Sequence, residues 1–170
     1  MNWVSIVVLI IIIITFFSGI KEGAAKNFFS VVASLIAIPV AGRFYYLLVY
    51  VLSFLPGTNW ENFVGFFITL GLISVILHFI FFLPKKIIEK ITGKGPLSRL
   101  LGGILGVFNT SIGFVVLALA TRTYPIIDWL AEKVVESGVL TWLIEMLGFI
   151  QSMLPEVFNQ VAIMVWTHIS

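Results

Sequence analysis

Leu83-Pro84-Lys85-Lys86-Ile87-Ile88-Glu89-Lys90-Ile91-Thr92-Gly93-Lys94-Gly95-Pro96-Leu97-Ser98-Arg99 carries five of the chain's ten Lys and Arg residues, and long apolar runs with almost no charge stand on either side of it. Charges clustered in this way mark a loop between two membrane spans, because the flanking runs suit hydrocarbon and the charges do not. The composition agrees. The chain is 60% hydrophobic over 170 residues with a mean hydropathy of +1.14, more apolar side chain than a soluble domain of this size buries. Its solvent is mostly lipid.

Working outward from that segment, four runs are long enough to cross a hydrocarbon core of about 30 Å, which takes roughly 20 helical residues. They are Trp3 to Ile20, Phe28 to about Leu48 with a possible extension to Leu55, Phe63 to Leu83, and Leu100 to Thr121. Val4 to Thr15 is rich in β-branched residues and reads as strand in water, but a lone strand in lipid leaves its backbone groups unpaired, so helix is forced. The fold class expected is therefore all-α, a polytopic membrane protein with about four transmembrane helices. The start, Met1-Asn2-Trp3, lacks the basic region of a secretory signal, so the first run is expected to stay as a span.

Lys21, Glu22 and Lys26 lie between the first two spans, and Pro56 to Asn62, between the second and third, has no Lys or Arg. Charge bias therefore places both basic loops in the cytoplasm and both termini outside. Trp3, Tyr45, Tyr46, Tyr50, Trp60 and Tyr124 all fall near the outer ends, where amphipathic rings favour the interface. Residues 1–121 form the expected bundle. Residues 122–170 form a net acidic tail in which Ile126, Ile127, Leu130 and Val134, then Val139, Leu140, Leu143, Leu147, Ile150 and Leu154, recur at helical spacing. Short amphipathic helices on the outer leaflet, covering or bracing the bundle, are expected there, with Val157 to Ile169 as a further interfacial or docked helix and a fifth crossing as the lesser alternative.

Small residues indicate where helices approach in lipid, since association there depends on close packing and interhelical hydrogen bonds. Gly102, Gly106, Thr110 and Gly113, widened by Gly103, stripe the fourth span; Ser30, Ala33, Ser34, Ala37 and Ala41 stripe the second. These two helices are expected to pack face to face. Asn109, Thr110 and Ser111 fall about 15 Å past Arg99 by helix rise, near the bilayer midplane, as interhelical hydrogen-bonding groups or a transport site. Arg43 lies near the outer interface as a snorkelling anchor. His78 reaches the inner headgroup region. With no cysteine, two histidines expected on opposite sides, and no nucleophile–base or phosphate-loop pattern, neither an enzyme nor a metal, cofactor or nucleic-acid binder is expected.

Gly19-Ile20-Lys21-Glu22-Gly23 closing the first span, the small-residue second span with Ala41, and Leu97-Ser98-Arg99-Leu100-Leu101-Gly102-Gly103-Ile104-Leu105-Gly106 opening the fourth resemble the CvpA family, the colicin V production proteins. Ser137 before Gly138-Val139-Leu140 is similar to a serine near that family's C-terminal end. The likeness covers most of residues 1 to about 145. Ser5 stands where the family typically has an Asp, Ser98 where an Asp or Asn often precedes the arginine, and Asn109 where a basic residue is common. The resemblance implies a bacterial inner-membrane protein of about four spans associated with toxin production or export and envelope integrity; some relatives resemble the membrane anchor of a periplasm-facing protease. The expected role is non-catalytic, acting through lipids, a homo-oligomer or other envelope proteins. Arg99, Gly102 and Gly106 are expected at the inner mouth with Gly23 opposite, Arg99 holding anionic headgroups or a helix end. A small oligomeric channel or transporter lined by the glycine and alanine stripes is the first alternative, and a lipid-interacting scaffold the second.

Overall fold

The computed structural model describes residues 2–55, 57–93 and 95–154, and these form α1 (Trp3–Glu22), α2 (Ala24–Val51), α3 (Thr58–Thr92), α4 (Pro96–Thr123), α5 (Asp128–Val135), α6 (Gly138–Met146) and α7 (Phe149–Met153). The first four are long and apolar enough to cross a membrane. Their ends follow local chemistry: the Asn2 side chain caps α1 by accepting from Val4 N at 3.4 Å, and Pro96 opens α4, where its missing N–H costs nothing.

The Lys-rich segment is shorter as a loop than expected. α3 runs 35 residues, about 52 Å by helix rise, so it outlasts the hydrocarbon and carries Lys85, Lys86, Glu89 and Lys90 on its last turns. Leaving the helix there would give up backbone hydrogen bonds, and cations near a helix C-terminus are favoured by its dipole. Lys86 also lies 4.8 Å over the Phe82 ring. At the other basic corner a single residue, Gly23, joins α1 to α2.

α4 is the central element, lying against both α1 and α2, with α3 packed mainly on α2. Ile112, Val115, Val116, Ala118, Leu119 and Ala120 of α4 are buried, whereas α3 turns most of its apolar side chains outward, as lipid permits. Phe66 is the largest buried side chain of α3 and meets Tyr45 of α2, with ring centroids 6.3 Å apart. Gly65 beside it admits Val49.

The tail helices brace the bundle. Val134, Leu140, Leu143, Ile144, Leu147, Ile150 and Leu154 join the same core cluster as α4, so the apolar faces of these short helices meet protein rather than lipid. In lipid, shape and hydrogen bonds decide between those partners, and both are present here. The Asn2 side chain donates to Lys133 O at 2.8 Å, the Trp3 and Trp129 rings meet tilted with centroids 6.3 Å apart, and Ser5 Oγ and Ser137 Oγ are hydrogen-bonded at 2.8 Å. α6 borders Leu9 and Ile12 of α1 and Ile104 and Val107 of α4 around an apolar cavity of about 540 Å³, which places it against the flank of the spans. The expected helix over Val157 to Ile169 lies outside the described residues.

Candidate functional site

The glycines of the sequence motifs converge on one helix crossing at the Lys-rich end. Gly19 and Gly23 are one turn apart at the end of α1, Gly102 and Gly106 one turn apart at the start of α4, and each pair presents bare backbone to the other. A Cβ on Gly102 would lie 2.6 Å from the carbonyl carbon of Gly23 and 2.8 Å from its Cα. One on Gly19 would come within 3.0 Å of both the Gly102 carbonyl carbon and Gly103 Cα and would land on the Gly102 oxygen. No side chain fits there. A Cβ on Gly103 would meet side chains, Phe16 at 2.9 Å and Ile20 at 3.0 Å, and one on Gly106 would have more room, with Thr15 O nearest at 3.3 Å.

This corrects the expected pairing. α4 does pack on α2, but its glycine edge turns to α1, because Gly19 and Gly23 offer matching backbone at the same level. Gly113 is exposed, and a Cβ there would meet no other element within 4 Å, so it lies outside any helix crossing of the described residues.

Two polar residues hold the corner. Asn27, buried four residues after Gly23, donates from Nδ2 to the carbonyls of Gly23 at 3.1 Å and Gly19 at 3.4 Å. Ser98, also buried, accepts at Oγ from Ala24 N at 3.3 Å, so α4 supplies a partner to one of the N–H groups that the first turn of α2 leaves open. Gly23 itself has φ 87° and ψ 168°, a region open to glycine alone. Glu22 and Lys26 pair one turn apart on the outside of the corner. Arg99 is exposed, beside Ile20, Pro96 and Leu100.

About one-third of the way along α2 a second polar cluster joins it to α4. Ser34 Oγ donates to Asn109 Oδ1 at 2.7 Å, and Asn109 Nδ2 donates to Ser30 Oγ at 3.2 Å. The carboxamide thus spends both its ends on one neighbouring helix, which fixes the rotation of α4 against α2. Of its neighbours in sequence, Ser111 is buried at the edge of the cavity beneath α6 and Thr110 is half-buried. Arg43 is exposed, farther along α2.

Ser137 is remote from the crossing. It is fully buried, caps α6 by accepting from Leu140 N at 3.4 Å, and bonds Ser5 near the start of α1. At that same end the Tyr45 and Tyr124 hydroxyls lie 3.3 Å apart, and burial together with this bond raises the Tyr124 phenol above its ordinary 10. Asn27 was not among the residues expected at the site. The signal was present in its spacing: a carboxamide eight residues after Gly19 and four after Gly23 points back to both if the helix resumes at once. Among the described residues no cluster of His, Cys, Asp and Glu is placed to hold a metal.

The protein-family model for the colicin V production protein matches residues 4–148, a stretch that takes in the crossing, the Asn109 cluster and the Ser5–Ser137 contact. No curated protein and no solved structure matches the chain.

Proposed function

The chain belongs to the colicin V production protein family, and on that premise we propose that it is a non-catalytic component of the bacterial inner membrane, serving production or secretion of a colicin V-type toxin and the integrity of the envelope. One observation carries the reading: the residues quoted for the family likeness, Gly19, Gly23, Ser98, Gly102, Gly103 and Gly106, meet at a single crossing. Its polar groups are hydroxyl, carboxamide and backbone groups occupied with one another, so what the crossing supplies is a fixed helix geometry. The Lys-rich end faces the cytoplasm in this reading, with the N-terminus and the tail outside and Arg43 anchoring near the outer interface. The protein acts through contacts with lipid, with another copy of itself or with other envelope proteins.

Complementation tests it. In a strain lacking the native gene, wild-type protein should restore toxin export and detergent resistance, and Gly102→Leu should restore neither at equal membrane abundance. Full complementation by Gly102→Leu would remove the crossing from the function. Cysteines placed along the outward face of α4, in a chain with no native thiol, report partners and stoichiometry by crosslinking in cells. A conduit past Asn109 is the second reading, favoured by the polar cluster there; steady unitary currents from the reconstituted protein would select it.

A further inference from the structure

On the Lys-rich side the seam between α2 and α3 does not close. It leaves a crevice of about 210 Å³ whose polar lining is Lys26, Ser30 and Ser34 from α2 and Ser74, His78 and Lys85 from α3. Phe29 and Phe81, with ring centroids 5.5 Å apart, form its apolar wall. Among the described residues no carboxylate is in its lining. Lys26 is paired across the Gly23 joint with Glu22, the last residue of α1, whereas among the described residues Lys85 has no ion pair and is the free cation of the crevice. Ser30 accepts from Asn109, which leaves its own hydroxyl hydrogen to donate.

Depth adds a second observation. His78 is exposed on α3 seven residues from Lys85 toward the membrane, about 10 Å by helix rise. Ionisable side chains at such depth face a cavity or a partner, because hydrocarbon offers their polar atoms none. Here the cavity is the crevice, and what would satisfy its lysines, histidine and serine together is an acceptor-rich anion. The flanks at this level are lipid-facing, with Phe28 and Phe82 exposed, so entry is from the side, out of the bilayer.

From these observations we infer that the α2–α3 crevice binds the phosphate of an anionic phospholipid, held between Lys26 and Lys85 with its glycerol against Phe29 and Phe81. The volume suits a phosphate and adjoining glycerol; the acyl chains stay outside, along the exposed apolar side of α3. Basic pockets between spans commonly take such headgroups. The inference goes beyond the proposed function and does not depend on it, since a lipid site is compatible with either a toxin-related or a conducting role.

The test is native mass spectrometry of the purified, delipidated full chain, titrated with phosphatidylglycerol and with phosphatidylcholine of the same acyl chains. The wild type should hold one phosphatidylglycerol at least tenfold more tightly than phosphatidylcholine. Lys85→Ala should weaken it about fivefold and the Lys26→Ala, Lys85→Ala pair about 25-fold, following the usual contribution of a lysine near anionic lipid. Lys90→Ala, on the same helix outside the crevice, should bind as wild type, and Lys85→Arg should retain most of the affinity. Thermal unfolding run beside each variant separates lost binding from lost fold. Equal affinity for the two lipids, or equal weakening by Lys90→Ala and Lys85→Ala, would overturn the inference. Displacement of the lipid by glycerol 3-phosphate at matched concentration would also overturn it, assigning the crevice to a soluble phosphate ester.

Discussion

Adding one methyl group at a time along α4 is the sharpest test of the crossing, because the structure ranks the outcomes. Carbon atoms in good contact sit about 3.5–4.0 Å apart. A Cβ at Gly102 meets Gly23 backbone at 2.6 and 2.8 Å, so α1 and α4 must part by about 1 Å. A gap of that size forfeits about a quarter to a half of each contact's attraction, and in lipid those contacts are most of what holds the pair. Overpacking of this kind costs about 1–3 kcal/mol, and Gly102→Ala belongs at the upper end because the obstacle is backbone. Gly106→Ala, whose Cβ meets Thr15 O at 3.3 Å and Gly19 Cα at 3.4 Å, should cost about 1 kcal/mol or less. Gly113→Ala, with open space before it, should be neutral or stabilising by about 0.5 kcal/mol through helix propensity. The assay is reversible unfolding in mixed micelles titrated with SDS, followed by tryptophan fluorescence. If Gly102→Ala unfolds with wild-type energetics, or if Gly113→Ala is the costliest of the three, the crossing does not hold the bundle as described.

Four further outcomes are expected. A double-mutant cycle between Ser5→Ala and Ser137→Ala should return a coupling of about 0.6 kcal/mol, with Ser137→Ala the costlier single change by about 1 kcal/mol because it also uncaps α6; no coupling would mean the buried pair is not formed in the bilayer. Asn109→Leu should destabilise by about 1–2 kcal/mol, since it leaves Ser30 and Ser34 without their partner, and a variant as stable as wild type in SDS titration would show the cluster to be dispensable. The Tyr124 phenol is raised above 10 in the fold, so its neutral form is favoured and its contribution is complete below pH 10 and lost as pH rises through the raised value; Tyr124→Phe should remove the high-pH end of the tyrosine absorbance titration near 295 nm, and an unchanged high-pH end would contradict this. Single cysteines at positions 90 and 59 should label from the cytoplasmic and the external side respectively in intact cells, and the reverse pattern would invert the proposed threading.

The spans and the basic end were legible because hydropathy and charge are properties of each segment taken alone. Partner choice is a property of pairs. Small residues on α4 reveal an edge able to approach another helix, and both the Ser30 and Ala33 stripe on α2 and the Gly19 and Gly23 pair on α1 are small enough to invite it, so the level at which the helices meet decides which of them the glycines face. That level depends on how tightly α1 turns into α2, and nothing in Lys21-Glu22-Gly23-Ala24 says in advance that one residue makes the turn. The same limit applies to the tail: Leu140, Leu143 and Leu147 make an apolar face whether lipid or α4 covers it. Ser137 was legible as a likeness, but its partner Ser5, 132 positions away, was not. The length of α3 escaped for a different reason, since Pro84 and the lysines after it read as an ending and the helix runs through them.

The single-residue joint at Gly23 has a consequence for biogenesis. α1 and α2 are synthesised first, and the element that fills the angle between them, α4, begins only at Pro96. At roughly 5–20 residues per second, translation takes about 4–14 s to cover that interval. For those seconds the Gly19 and Gly23 backbone that α4 later covers is open to whatever adjoins it in the bilayer.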